Sequence, residues 1–127
     1  MIVSKTPLRM SFIGGGSDLP AYYLQNKGAV ISTSIQKYIY IALHPKFNNK
    51  FRLSYSKTED IDSIHNIEHP LFRETLKLLN INNGLEISSM ADIPSKGSGL
   101  GSSSSFTVGL LNALYSYKNI TPSKSLL

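Results

Sequence analysis

Two periodicities coexist in this chain and together predict an α+β fold. Ile31, Ile35, Ile39, Ile41 and Leu43 fall on one face of an extended stretch, with Ser32, Ser34, Gln36, Tyr38 and Tyr40 on the other. That is the period of two expected of a half-buried strand. Behind Pro70, by contrast, Leu71, Phe72, Thr75, Leu76 and Leu79 recur at helical spacing. Phe106, Leu110, Ala113, Leu114 and Tyr117 do the same further on. A third observation joins the two kinds of element: strand-like Leu85, Ile87 and Ser89 lead into a glycine–serine loop that opens the second helix.

The elements follow in order. Met1 to Lys5 reads as a strand, and Arg9 to Ile13 as a second short strand after Pro7. Gly14 to Pro20 is a loop by its glycine content. Pro20 suits the first turn of a short helix to about Gln25, with Ser17 or Asp18 near its cap. Residues 29–43 form a long strand or bent pair of strands, and Phe51, Leu53 and Tyr55 alternate after a turn over Pro45 to Lys50. Lys57 to His69 is polar and predicts a loop. The helix from Pro70 stops at Asn80 to Gly84, a strand from Leu85 follows, and Ser102 to Tyr117 is the next helix. Thr121-Pro122 begins a last helix with a good cap and first-turn pair.

Composition narrows the class. At 127 residues, 41% hydrophobic and 17% charged, the chain is of single-domain size with enough apolar residues for a core. No apolar run approaches the roughly 18 residues of a membrane span, and the N-terminus lacks the layout of a signal peptide. No cysteine is present, which rules out disulfides and thiolate zinc sites and fits a cytoplasmic protein. The net charge of +5 is scattered singly along the chain, a pattern of solvation rather than of a nucleic-acid surface. No nucleic-acid or membrane partner is therefore expected, and oligomeric state is not legible. His44, His65 and His69 lack metal-ligand spacing and read as structural or surface residues. Tyr38 and Tyr40 read as an exposed or interface face.

The chemistry concentrates in Pro94 to Phe106. Gly97, Gly99 and Gly101 alternate with other residues and lead into Ser102 to Ser105. Glycines let backbone approach a ligand without a Cβ in the way. A helix beginning at the serines offers unpaired N–H groups and the positive end of its dipole, a phosphate site. The loop is not a Walker A motif, since no Gly-Lys-Ser/Thr closes it, nor does it read G-x-G-x-x-G.

Instead, Gly97-Ser-Gly-Leu-Gly-Ser-Ser-Ser104 resembles, without a gap, the second signature of the GHMP kinases (galactokinase, homoserine, mevalonate and phosphomevalonate kinases). Pro94 stands one residue further upstream than in many members, with Lys96 as the extra residue. A second stretch, Thr6 to Pro20, is similar to the N-terminal signature of that family. Arg9 and Asp18 fall on family positions, while Gly15 and Gly16 replace its Glu-His pair. The form Gly14-Gly-Gly-Ser-Asp-Leu-Pro20, with Ser103 to Leu114, looks like the subgroup that phosphorylates heptose 7-phosphate at the C1 hydroxyl.

The resemblance implies a two-layer α+β domain, related to a ribosomal-protein-like βαβ unit and incomplete here. It implies that Gly97, Ser98, Gly99, Leu100, Gly101, Ser102, Ser103 and Ser104 bind ATP, with Ser103 a Mg²⁺ ligand. Arg9 would place positive charge by the acceptor or γ-phosphate, and Gly14, Gly15, Gly16, Ser17 and Asp18 would meet the sugar phosphate. The catalytic Asp of the family, or what replaces it, lies in a segment beyond Leu127. Residues 1–127 are thus expected to be the ATP-binding N-terminal part of a two-domain kinase, inactive alone. Its product would feed nucleotide-heptose and surface polysaccharide synthesis. The rival readings are a non-catalytic nucleotide-, RNA- or protein-binding module of similar fold, and a kinase for another sugar such as fucose.

Overall fold

The predicted mixture of strands and helices assembles as one sheet with helices on one face. The structure, a computed structural model, describes residues 1–94 and 99–123. In chain order the elements are β1 (Ile2–Ile13), α1 (Pro20–Tyr23), β2 (Ile31–Pro45), β3 (Phe51–Ser54) and β4 (Thr58–Ile61). Then come α2 (Pro70–Leu78), β5 (Leu85–Ala91) and α3 (Ser102–Tyr117). Single 3₁₀ turns cover Gly15–Asp18 and Ile64–Asn66. The strands lie in the order β1-β2-β5-β3-β4, all antiparallel neighbours except the parallel pair β3 and β5.

Alternation decides which face is dry. Leu8, Ile39, Ile41, Leu43, Phe51, Leu53, Leu85 and Ile87 point inward and are buried with Phe72 and Leu76 of α2 and Leu110 and Leu114 of α3. Helix α3 comes close to β1 and β2 because Gly109 has no side chain. A Cβ there would stand 2.7 Å from Thr6 Oγ1 and 3.3 Å from Ser4 Oγ. Ser4 Oγ instead donates to the Gly109 carbonyl at 2.8 Å. At the start of the same helix, Ser105 Oγ donates to the Pro7 carbonyl at 3.0 Å, and the Arg9 amide donates to the Leu100 carbonyl at 3.2 Å. These bonds fix the opening of α3 beside Arg9.

Five expectations need correction. The two N-terminal strands are one: β1 is a sheet edge, where proline is tolerated, and a register shift between Pro7 and Leu8 absorbs the break. Residues 57–69 are not simply a loop, because β4 pairs with β3 and the 3₁₀ turn buries Ile64. The signal was hidden by Glu59, a buried charge at an inward position, which accepts hydrogen bonds from Tyr55 Oη at 2.6 Å and the Glu68 amide at 2.8 Å. Residues 46–50 do join β2 to β3, yet those strands are not neighbours, since β5 inserts between them. Helix α1 ends at Tyr23 and is capped by Leu19 with no side-chain bond, so neither Ser17 nor Asp18 caps it. The last helix has no counterpart over residues 121–123, and the rest of it lies outside the described residues.

Candidate functional site

The first turn of α3 presents unpaired amides beside a run of serines. Its N-cap is Gly101, in the left-handed region at φ 67°, and no side chain caps the helix. The Ser105 amide is the first to bond back, to the Gly101 carbonyl at 3.0 Å. The amides of Ser102, Ser103 and Ser104 precede it and have no intrahelical partner. Ser103 and Ser104 are exposed and Ser102 is half-buried, whereas Ser105 is buried and committed to Pro7. Gly99 is also left-handed at φ 64° and has open space where a side chain would be. Gly97 and Ser98 lie outside the described residues, while Leu100 is half-buried and bonded to Arg9.

Arg9 lies between this turn and the glycine loop. A Cβ on Gly101 would stand 3.1 Å from Arg9 Cγ, so the arginine stem rests on that glycine. Its Nη2 is 3.7 Å from Asp18 Oδ2, and Nη1 donates to Ser11 Oγ. Both ion-pair partners are substantially exposed, so the pair adds little stability but orients the guanidinium. The three glycines before Asp18 are not equivalent. Gly14, at φ 80°, is dictated by the fold, since a Cβ would collide with the Ala29 carbonyl at 1.9 Å. Gly15 would only touch Ser11, and Gly16 faces open space. Ser17 Oγ lies 2.7 Å from the Gly14 carbonyl and 3.0 Å from that of Ala29, so its single proton closes the loop.

A third feature adjoins the turn. His69, read as structural or surface, sits in an aromatic cluster with Tyr55 (ring centroids 4.8 Å), Phe72 (5.0 Å) and Phe106 (5.3 Å). Its ring lines a cavity of about 500 Å³ with Tyr55, Ser56 and Ser89, and a smaller one of about 140 Å³ that reaches Ser102 and Ser103. Burial pushes the imidazole below its usual range, against the opposing influence of the nearby Glu59 carboxylate. Glu59 itself is held below the usual carboxylate range. Burial would raise it, but hydrogen bonds from Tyr55 and from the amides of Glu68 and His69 outweigh that. The only available sequence signal was His69-Pro70 at a helix start, which is not specific.

Residues 63–127, just over half of the chain, match the model of the GHMP kinases N terminal domain. The chain belongs to the GHMP kinase family. It is 29% identical to the D-glycero-alpha-D-manno-heptose 7-phosphate kinase of Campylobacter jejuni, over 94% of this chain and 38% of that protein. The crystal structure of a D-glycero-D-manno-heptose 1-phosphate kinase from Bacteroides thetaiotaomicron superposes with a TM-score of 0.85 at 22% identity, covering 99% of this chain and 45% of that one. The mevalonate kinase of Methanococcus jannaschii gives a TM-score of 0.76 at 23% identity, over 98% of this chain and 42% of that one. The chain therefore spans less than half the length of these relatives, and its fold is that of an incomplete GHMP kinase N-terminal domain.

The described groups of this GHMP kinase domain that could meet a magnesium nucleotide are the Ser102, Ser103 and Ser104 amides and the Ser103 hydroxyl. Among the described residues no cluster of three His, Asp or Glu could hold a metal by protein ligands alone. Magnesium, however, accepts few protein oxygens beside phosphate and water, and the exposed Ser103 hydroxyl on the open turn suits that role. No described helix is long and apolar enough to cross a membrane.

Proposed function

We propose that this chain is the ATP-binding N-terminal part of a sugar-phosphate kinase. In this reading the kinase transfers the γ-phosphoryl of Mg·ATP to the C1 hydroxyl of D-glycero-D-manno-heptose 7-phosphate. The observation that carries it is the uncapped N-terminus of α3 lying beside the Arg9–Asp18 pair. In phosphoryl transfer the P–O bond to the leaving ADP breaks as one to the acceptor oxygen forms, the acceptor hydroxyl releases its proton to a base or to water, and charge spreads over the phosphoryl oxygens. Positioning and fixed positive charge then supply most of the acceleration.

The residues divide the work. Backbone from Gly97 to Ser104 would cradle the phosphates, and Ser103 Oγ would join Mg²⁺, which neutralises phosphate charge when bound. Arg9, held against Gly101, would face the transferring group, and Asp18 would accept hydrogen bonds from sugar hydroxyls. Gly16, with open space at its α-carbon, would let the sugar ring approach the backbone. The similarity to the Campylobacter heptose 7-phosphate kinase supports the acceptor assigned here. The domain would work in the cytoplasm, on the way to nucleotide-heptose and surface polysaccharide.

Two measurements test this. Gly99→Val should abolish Mg·ATP binding measured by calorimetry, because a side chain there enters the space phosphate needs. Unchanged binding would remove the phosphate-loop assignment. Coupled kinase assays of the full-length gene product on a panel of sugars and sugar phosphates should show a preference for heptose 7-phosphate. Activity confined to fucose would remove that acceptor, and no activity on any sugar would favour a non-catalytic module.

A further inference from the structure

The cavity behind α3 contains a polar group with no structural use. His69 Nδ1 is buried and lacks any hydrogen-bond partner. A buried polar atom left unpaired is costly and rare in native proteins. The surroundings make the position deliberate rather than loose. The His69 amide donates to Glu59 Oε1 at 3.3 Å, and its carbonyl accepts from the Arg73 amide at 3.1 Å, so the backbone is pinned on both sides. The ring is then wedged by Tyr55, Phe72 and Phe106. Tyr55 is itself held by its 2.6 Å bond to the same Glu59 carboxylate. A buried carboxylate thus organises both rings of the cavity wall.

The tautomer follows from this burial. A neutral imidazole has one N–H and one bare nitrogen. An unsatisfied acceptor is tolerated inside proteins more readily than an unsatisfied N–H, so Nδ1 is the bare nitrogen. The proton is left on Nε2, which is not among the buried unpartnered atoms. His69, Ser89, Ala91, Ile93 and Phe106 line both cavities, one of which reaches the Ser102–Ser103 turn while the other reaches Tyr55. A ligand with phosphates at that turn and a flat ring toward Tyr55 would fit along the two.

We propose that His69 is a specificity-determining residue for the nucleotide, donating from Nε2–H to a ring nitrogen of the purine base while Tyr55 and Glu59 hold it in place. The proposal rests on the ATP reading above and adds to it the residue that distinguishes a nucleotide from a bare polyphosphate. Phosphate contacts alone do not make that distinction.

Calorimetry of the protein and its His69→Leu variant with Mg·ATP and with magnesium tripolyphosphate tests it. His69→Leu should weaken Mg·ATP about tenfold, the scale of one hydrogen bond, and leave tripolyphosphate unchanged. Equal ATP affinity in both proteins would overturn the role of His69 while leaving the ATP reading intact. Failure of the unsubstituted protein to bind either ligand would overturn that reading itself. Equal weakening of both ligands would also overturn the inference, since it would mean that the substitution disturbs the phosphate turn. Should the variant fail to fold, ¹⁵N resonances of the unsubstituted protein decide. They should show the Nε2–H tautomer without ligand and move on adding Mg·ATP but not tripolyphosphate. A Nδ1–H tautomer, or no ATP-dependent shift, would refute the assignment.

Discussion

The two ends of β1 and β2 are built on opposite principles. Toward Ile2 and Leu43 the sheet is covered by α3, and its inward residues are dry. Toward Ile13 and Ile31 the same pair of strands is uncovered: Phe12 is 61% exposed, Ile13 69%, Ile31 63%, and Leu24 nearby 76%. There the chain is shaped by glycine conformation and by Ser17 bonding to carbonyls rather than by a core. Arg9 lies between the two regimes, with its backbone tied to the covered region through Leu100 and its guanidinium reaching Asp18 in the uncovered one. The comparison teaches that this domain uses its packed half to present the serine turn of α3 and its unpacked half to present the glycine loop, the two places proposed above for phosphate and sugar.

The largest expected effects lie in the packed half. Phe72→Ala should cost about 3–5 kcal/mol of unfolding free energy, since Phe72 is fully buried and meets Phe106 edge-on at 5.1 Å. Phe12→Ala, an equal deletion at the open end, should change stability by less than about 0.5 kcal/mol. Urea titrations of both variants measure the contrast, and comparable losses would break it. Next comes Gly109→Val, expected to cost about 1–3 kcal/mol by forcing α3 away from Ser4 and Thr6. Because Ser105 and Leu100 tie the helix start to β1, this variant should also weaken nucleotide binding.

Within the open half, Gly14 and Gly16 sharpen the contrast between structural and functional glycine. Gly14→Ala meets the Ala29 carbonyl and a left-handed φ, and should destabilise by about 1–3 kcal/mol. Gly16→Ala has room and should leave the urea midpoint unchanged while reducing sugar-phosphate affinity. A stable Gly14→Ala protein would mean that the loop is not held by Ala29.

Acid should act on the aromatic cluster. His69 and Glu59 both have pKa values in the folded protein below their ordinary 6.5 and 4.5. The unfolded chain therefore binds more protons over those windows, and the associated stability is fully present above each ordinary value and lost as pH falls through the folded one. Melting temperature should begin to drop below about pH 6.5 through His69 and fall further below about pH 4.5 through Glu59. His69→Phe should remove the first part and keep the second. A pH profile unchanged in that variant would dissociate His69 from acid sensitivity.

How much of this was legible in the sequence differs between the same two regions. Helix α3 was read to its ends because Gly101 and the apolar spacing from Phe106 agree, and β5 was read from plain alternation. Strand β4 was hidden because its inward residue is Glu59, whose burial is made possible by donors that only the fold brings near. The place of β5 between β2 and β3 is a long-range pairing that no local pattern encodes. Arg9, Asp18 and the serine turn were singled out through the family resemblance, and the structure brings Arg9 against Asp18 and Gly101. The surroundings of His69 were not legible because they depend on rings from positions 55, 72 and 106.

The smallest expected effect on stability is also the clearest test of the uncovered end. Phe12, Ile13, Leu19, Leu24, Val30 and Ile31 place apolar side chains in water at one end of the strand pair, more than single scattered residues would. Burying that surface against another body is favourable at about 25 cal/mol per Å², so the isolated chain should self-associate as its concentration rises. Phe12→Ser with Ile31→Thr should shift sedimentation toward the monomer and reduce binding of an apolar dye. It should do so while changing unfolding free energy by no more than about 0.5 kcal/mol. A monodisperse monomer in the unsubstituted chain, with cooperative unfolding, would show that this end does not need a cover. A large loss of stability in the double variant would show that its side chains support the fold after all.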